Sequence, residues 1–157
     1  LNDFLLLDRI LQCKENKLGA EKYFSSSEQY LLLESCAQAA AFHARYLCDF
    51  HRHAFLLQIK YFQGLTVLGS RFLAEERQSP EENSINFESG IQGRVGISAE
   101  KISCSQSTFA YQVHARQEEE LLAKGELLIG TTEYNRNLPE ERLKPYYQEA
   151  FACLLSG

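Results

Sequence analysis

Residues 25–48 read SSSEQYLLLESCAQAAAFHARYLC, and the fold turns on what this stretch is. It opens on Ser25-Ser26-Ser27-Glu28, the S-x-x-E pattern of a capping box, in which the serine hydroxyl accepts from the Glu28 amide while the carboxylate reaches back to the cap. A helix is expected from there through Leu31, Ala37, Ala41 and Ala44 to about Cys48. Its side chains are apolar or small on nearly every face, which is the pattern of a buried helix. Glu34 is the only charged residue within 29–42. An unpaired ionised carboxylate buried there would cost several kcal/mol, so Glu34 has to be paired, exposed, protonated or used. As a used group it is a general acid or nucleophile with a pKa raised by desolvation. As a structural group it is hydrogen-bonded to a neighbouring strand or to a partner subunit. Gln38 lies one turn on and shares its face, where a core polar contact is the simpler role. The free amides and positive dipole end near residues 27–30 can polarise a carbonyl oxygen, as any helix start can.

Outward from the helix, the flanks read as strands. Residues 4–13 form a dense apolar run expected to be a buried strand. Lys14-Glu15-Asn16-Lys17 is a polar turn, and residues 18–24 are a second short strand. After the helix, His51-Arg52-His53 reads as surface and 55–63 as a strand of mixed burial. Gly64 and Gly69 bracket a turn, 71–74 is a candidate strand, and 75–83, with no large apolar residue, is a loop. Ser89-Gly90, Gly93 and Gly96 extend the irregular region. Phe109, Tyr111, Val113 and Ala115 then alternate with Ala110, Gln112, His114 and Arg116, and Ala123, Gly125, Leu127 and Ile129 with Lys124, Glu126 and Leu128. These are two antiparallel strands around an acidic hairpin tip at 117–120. Pro139 suits a first helical turn with Asn137 as its cap. Leu143, Tyr147, Phe151 and Leu154 fall on one face of a C-terminal helix that packs on the sheet, with Pro145 a point where it can break. One long central helix with a largely antiparallel sheet is an α+β domain.

Composition sets the limits. The 157 residues are 45% apolar and 24% charged with three prolines, which describes one globular domain spanning 1–157 rather than a disordered or repetitive chain. A net charge of −5 and no basic block argue against nucleic acid as a partner. The five cysteines are scattered and never form C-x-x-C, so neither a zinc knuckle nor a disulfide framework is expected, and a reducing cytoplasm fits. The apolar start is too short for a signal peptide or a membrane span. With no methionine in the sequence, a few N-terminal residues are expected to be missing. His43 lies nine residues past Glu34, roughly 13 Å along the helix axis, and His51 and His53 are farther still. These three read as solvated or as helix C-terminal groups, and His114 reads as surface. No Ser/His/Asp order, phosphate loop or metal spacing is present.

Two segments resemble a known family. Phe4-Leu5-Leu6-Leu7-Asp8-Arg9-Ile10-Leu11 is similar to the opening strand of bacterial 3-hydroxyacyl-acyl-carrier-protein dehydratases, where F-L-L-[VL]-D-R-[VI] is typical. Leu33-Glu34-Ser35-Cys36-Ala37-Gln38-Ala39-Ala40 resembles that family's central-helix pattern I-E-A-x-A-Q-x-A. The resemblance, which takes in the strand ending at 122–127 and spans about 4–130, implies a hot-dog fold: a long helix wrapped by a curved antiparallel sheet. The reading makes 4–130 the core, 75–96 a variable loop and 137–155 a C-terminal helical extension. It also implies a homodimer or an oligomer of dimers, and an acyl thioester of acyl carrier protein or coenzyme A as the ligand. No cofactor, metal, nucleic acid or membrane span is implied.

By the same resemblance Glu34 falls on the catalytic acid that helps a 3-hydroxyl leave, and Tyr23, Tyr30 and Gln38 are candidate substrate-binding residues. The sequence departs from the family at the base. The family carries its histidine in an H-F-P-x-x-P-x-x-P-G loop before the helix, whereas this chain has no proline before Pro80 and no histidine before His43. Tyr23, with a reference pKa of about 10, is a poor substitute. Three functions follow: dehydratase-like chemistry in fatty acid or related lipid or polyketide metabolism, thioester hydrolysis using Glu34, or a non-catalytic acyl-binding or structural subunit.

Overall fold

A computed structural model of the chain describes residues 5–27, 29–64 and 91–157. The order of elements is β1 (Arg9–Lys14), β2 (Lys17–Ser27), α1 (Gln29–Leu47), β3 (His53–Gly64), β4 (Ile91–Cys104), β5 (Thr108–Gln117), β6 (Glu120–Thr132) and α2 (Glu140–Ser156). The strands form one six-stranded sheet in the order β1-β2-β4-β5-β6-β3, and every neighbouring pair is antiparallel. This is the expected α+β architecture, with α1 lying across the sheet.

The period-2 pattern sets the sheet's two faces. Val95, Ile97 and Ala99 of β4, Tyr111, Val113 and Ala115 of β5, and Ala123, Leu127 and Ile129 of β6 are buried on the inner face. Cys36, Ala39, Ala40 and Ala44 of α1 are fully buried in the same core. Their small side chains let the helix seat closely on the sheet, which suits an element with alanine at 37, 39, 40, 41 and 44.

Several expectations are corrected. Ser25 does not cap α1, because β2 runs on through it to Ser27 and the helix begins at Gln29. Pairing of Tyr23 with Arg94, Phe24 with Gly93 and Ser27 with Ile91 holds this segment extended, so the sheet ladder overrides the local capping signal. The glycines at 93 and 96 lie inside β4 rather than in an irregular region, since that strand is paired on both sides. Gly93 adopts φ +101°, a conformation that favours glycine. The first strand is shorter than the apolar run and sits at the sheet edge, where only Ile10 is buried. The turn between Gly64 and Gly69, the 71–74 strand, the 75–83 loop and the variable loop up to residue 90 lie outside the described residues.

α2 starts after Pro139 with no side-chain cap. Asn137 is not the cap. Instead Asn135 Oδ1 accepts from the amides of Asn137 (2.9 Å) and Leu138 (3.2 Å) in the preceding turn. The helix continues through Pro145, which is exposed together with Glu141, so the carbonyl left without its amide faces water. α2 lies against β1 and inserts Phe151 among Phe42 (6.2 Å between ring centroids), Tyr46 (5.6 Å) and Phe50 (5.4 Å).

Candidate functional site

Tyr30, Glu34 and Gln38 are spaced by four residues on α1 and form one stripe, each about 6 Å further along the axis. Tyr30 is 54% exposed and Glu34 is exposed too. Among the described residues the Glu34 carboxylate makes no hydrogen bond or ion pair, so the threatened cost of a buried charge does not arise: the group is open to solvent or to an incoming molecule. Tyr23 is 58% exposed on β2, a different element, and its amide donates to Asp8 Oδ2 at 2.6 Å.

Gln38 carries a structural bond. Its Oε1 accepts from the Leu6 amide at 2.7 Å, and Ser35 Oγ donates to the Leu6 carbonyl at 3.0 Å. Both backbone groups of Leu6 are thus satisfied by α1 side chains from either side of Cys36. Asp8, two residues on, takes Lys22 Nζ at 2.9 Å as well as the Tyr23 amide. The segment 5–8 and the helix stretch 35–38 therefore interlock, one residue along the helix from the exposed Glu34.

The histidines are placed apart from Glu34. His43 is not solvated but fully buried, because its position on α1 points at the sheet rather than past its end. Nε2 lies 2.6 Å from the Lys14 carbonyl and Nδ1 lies 2.9 Å from the Tyr111 hydroxyl. A carbonyl only accepts, so the proton belongs on Nε2 and Nδ1 accepts from the phenol. Burial lowers the His43 pKa, opposed by the Lys14 hydrogen bond and assisted by the Lys101 charge. Burial likewise pushes the Tyr111 hydroxyl well above its ordinary value. His53 lies 3.3 Å from the Tyr147 hydroxyl, and burial and then the Arg45 charge lower its pKa. His51 is exposed near Lys144, and His114 is half-buried on the outer face of the sheet.

Arg45 was not singled out by sequence, although a basic residue in the last helical turn is a recognisable partner for the C-terminal dipole. It is buried, donates from Nη2 to the Ala54 carbonyl at 2.5 Å and sits 3.9 Å over the Tyr147 ring. Burial lowers its pKa, and the neighbouring tyrosines oppose this. The group pins α2 to the end of α1. Among the described residues no cluster of three His, Cys, Asp or Glu side chains is placed to hold a metal, and no helix is long and apolar enough to cross a membrane. The five cysteines are free thiols, and burial pushes Cys36 up to about 12 and Cys13 to about 11.

No family model matches the chain and no curated protein matches its sequence. Solved structures do match. A thioesterase from Haemophilus influenzae is 12% identical, with 79% of this chain and 77% of that one covered at a TM-score of 0.56. The dehydratase heterocomplex ApeI:P from Xenorhabdus doucetiae is 12% identical over 86% of each chain, at 0.60. A Streptococcus mutans protein bound to acetyl-CoA is 12% identical over 80% of this chain and 88% of that one, at 0.58. Read with the antiparallel sheet that cradles α1, these likenesses identify the chain as a hot-dog fold protein.

Proposed function

We propose that the chain handles an acyl group carried as a thioester on coenzyme A or acyl carrier protein, with Glu34 as the working carboxylate. The observation that carries this reading is the Glu34 side chain itself: a carboxylate exposed and unpaired among the described residues, one residue before the buried Ser35 and Cys36 on a helix whose inner face packs into the core. Neighbours described as thioesterases and one bound to acetyl-CoA support the thioester as ligand. Two reactions remain distinct. In hydrolysis, Glu34 takes a proton from water as the water oxygen attacks the thioester carbon, and the C–S bond then breaks as that proton passes from Glu34 to the departing sulfur, releasing the thiol and the acid. In dehydration, Glu34 protonates the leaving 3-hydroxyl while a second group removes the proton at C2.

Placement of the histidines favours hydrolysis. His43 is sealed in the core, His51 and His53 lie beyond the far end of α1, and His114 is on the outer sheet face. A lone carboxylate suffices for hydrolysis, whereas dehydration needs a base brought by another subunit. The two family-like segments around Asp8 and Glu34 are what keep dehydration as the second reading.

The proposal includes a second copy of the chain. Among the described residues β3 is an edge strand, and Phe55, Leu56, Leu57, Ile59 and Tyr61 along it are 36–54% exposed. The one lysine on this strand, Lys60, is paired with Glu126 at 2.6 Å, and a long, largely apolar edge of this kind is a pairing surface. Incubation with 3-hydroxyacyl and saturated acyl thioesters of both carriers tests the function. Free thiol is the expected product, an enoyl product reverses the order of the two reactions, and neither product with binding retained leaves an acyl-binding subunit.

A further inference from the structure

The outer face of the sheet, opposite α1, carries a groove of about 430 Å³ that the thioester reading does not use. Its floor is made of small residues in neighbouring strands: Gly19 of β2 pairs with Ser98 of β4, and Gly96 lies two residues away on the same face. One wall is Leu11 and Gln12 of β1, with the Gln12 side chain folded over Gly19. The other wall is β5. There His114 stands directly opposite Ser98, and Arg116 directly opposite Gly96. Directly opposed residues in an antiparallel pair have their Cβ atoms about 5 Å apart, so Ser98, His114 and Arg116 form one cross-strand patch around the gap that Gly96 leaves.

The polar groups of this patch are donors with capacity to spare. Among the described residues the Ser98 hydroxyl and the His114 ring make no hydrogen bond, and Arg116 makes only a long one, Nη1 to the Glu119 carbonyl at 3.4 Å. Glu100, the carboxylate on the rim, is occupied by Lys17 at 3.0 Å. Lys124, opposite His114 on β6, adds a further cation to that side. A hydroxyl, an imidazole and a planar guanidinium around one gap match the several oxygens of a phosphoryl group, which Arg binds through paired N–H donors. The remaining length of the groove, past Gly19 to Leu11, is large enough for a small organic remainder.

We propose that this groove binds a small phosphomonoester, with the phosphoryl group held by Arg116, His114 and Ser98 over Gly96. The site lies across the sheet from Glu34 and does not depend on the thioester reading.

The test follows backbone amide and imidazole resonances of the full chain during titration with inorganic phosphate and with phenyl phosphate, at constant ionic strength. Saturable shifts at Gly96, Ser98 and His114 are expected, with phenyl phosphate binding more tightly than phosphate. Arg116→Gln is expected to weaken binding about tenfold or more. Gly96→Val is expected to abolish it by filling the gap. An added Cβ at Gly96 meets nothing nearer than the Arg116 carbonyl at 3.7 Å, so the strand accommodates it. Any thioester activity that depends on Glu34 is expected to survive in both variants. Equal shifts with sodium chloride or acetate, or unchanged affinity in Gly96→Val, overturn the proposal.

Discussion

His43 Nδ1 accepts from the Tyr111 hydroxyl at 2.9 Å, and with Nε2 committed to the Lys14 carbonyl the ring is held neutral in the core. A proton added at Nδ1 would place two donors face to face unless the phenol turned away into apolar surroundings. The folded state therefore resists protonation, in agreement with the lowered pKa.

Stability follows by linkage. The unfolded chain takes up a proton on His43 near the ordinary histidine value of about 6.5, while the folded chain does so only at lower pH. Stability is thus complete above about pH 6.5 and falls as pH drops below it, by at most about 1.4 kcal/mol per unit for one histidine. His53, lowered in the same direction, adds to the slope. Urea midpoints between pH 7.5 and 5.5 are expected to decline, and His43→Gln, though less stable throughout, is expected to show a shallower decline. An equal slope in the variant excludes His43 as the source.

The clamp on Leu6 gives a second prediction. Gln38→Leu removes the acceptor for a half-buried amide and is expected to cost about 1–3 kcal/mol, whereas Gln38→Glu keeps a carboxylate oxygen there and is expected to cost less. Ser35→Ala, which strips the donor from the Leu6 carbonyl, is expected to fall between them. Chemical denaturation of the three variants checks the order.

What the sequence conveyed depended on the range of the interaction. The long helix, the β5–β6 hairpin and α2 were legible because each repeats its own period over ten residues or more. The cap at Ser25 and the loop at Gly93 and Gly96 were misread because β2 and β4 pair across more than sixty residues, and no local signal competes with a ladder. His43 reads as a helix-end group in sequence because its two partners, the Lys14 carbonyl and the Tyr111 hydroxyl, lie 29 and 68 residues away along the chain. Glu34 could be singled out by its isolation, but its exposure depends on where α1 meets the sheet.

The β3 edge yields a third prediction. Two register shifts, between Leu56 and Gln58 and between Ile59 and Tyr61, divide the strand's apolar side chains between both faces, so that a partner strand would cover them together. The wild-type chain is expected to sediment at twice 18.0 kDa, and Leu57→Lys combined with Ile59→Lys to sediment as a folded monomer. A wild-type monomer at micromolar concentration removes the second copy from the proposed function.

Glu34→Gln separates chemistry from stability. The carboxylate is exposed and holds no partner among the described residues, so its replacement by an amide of the same shape is expected to change stability by no more than about 0.5 kcal/mol. Removing a general acid or base typically lowers rate by about 10²–10⁴, and that loss is expected in whichever thioester reaction the chain performs. Acyl-thioester binding is expected to persist, since an amide of the same shape leaves the surface around residue 34 unchanged. A variant with full turnover moves the reaction to another group, while a variant that loses stability and turnover together assigns Glu34 a structural role in the assembled protein.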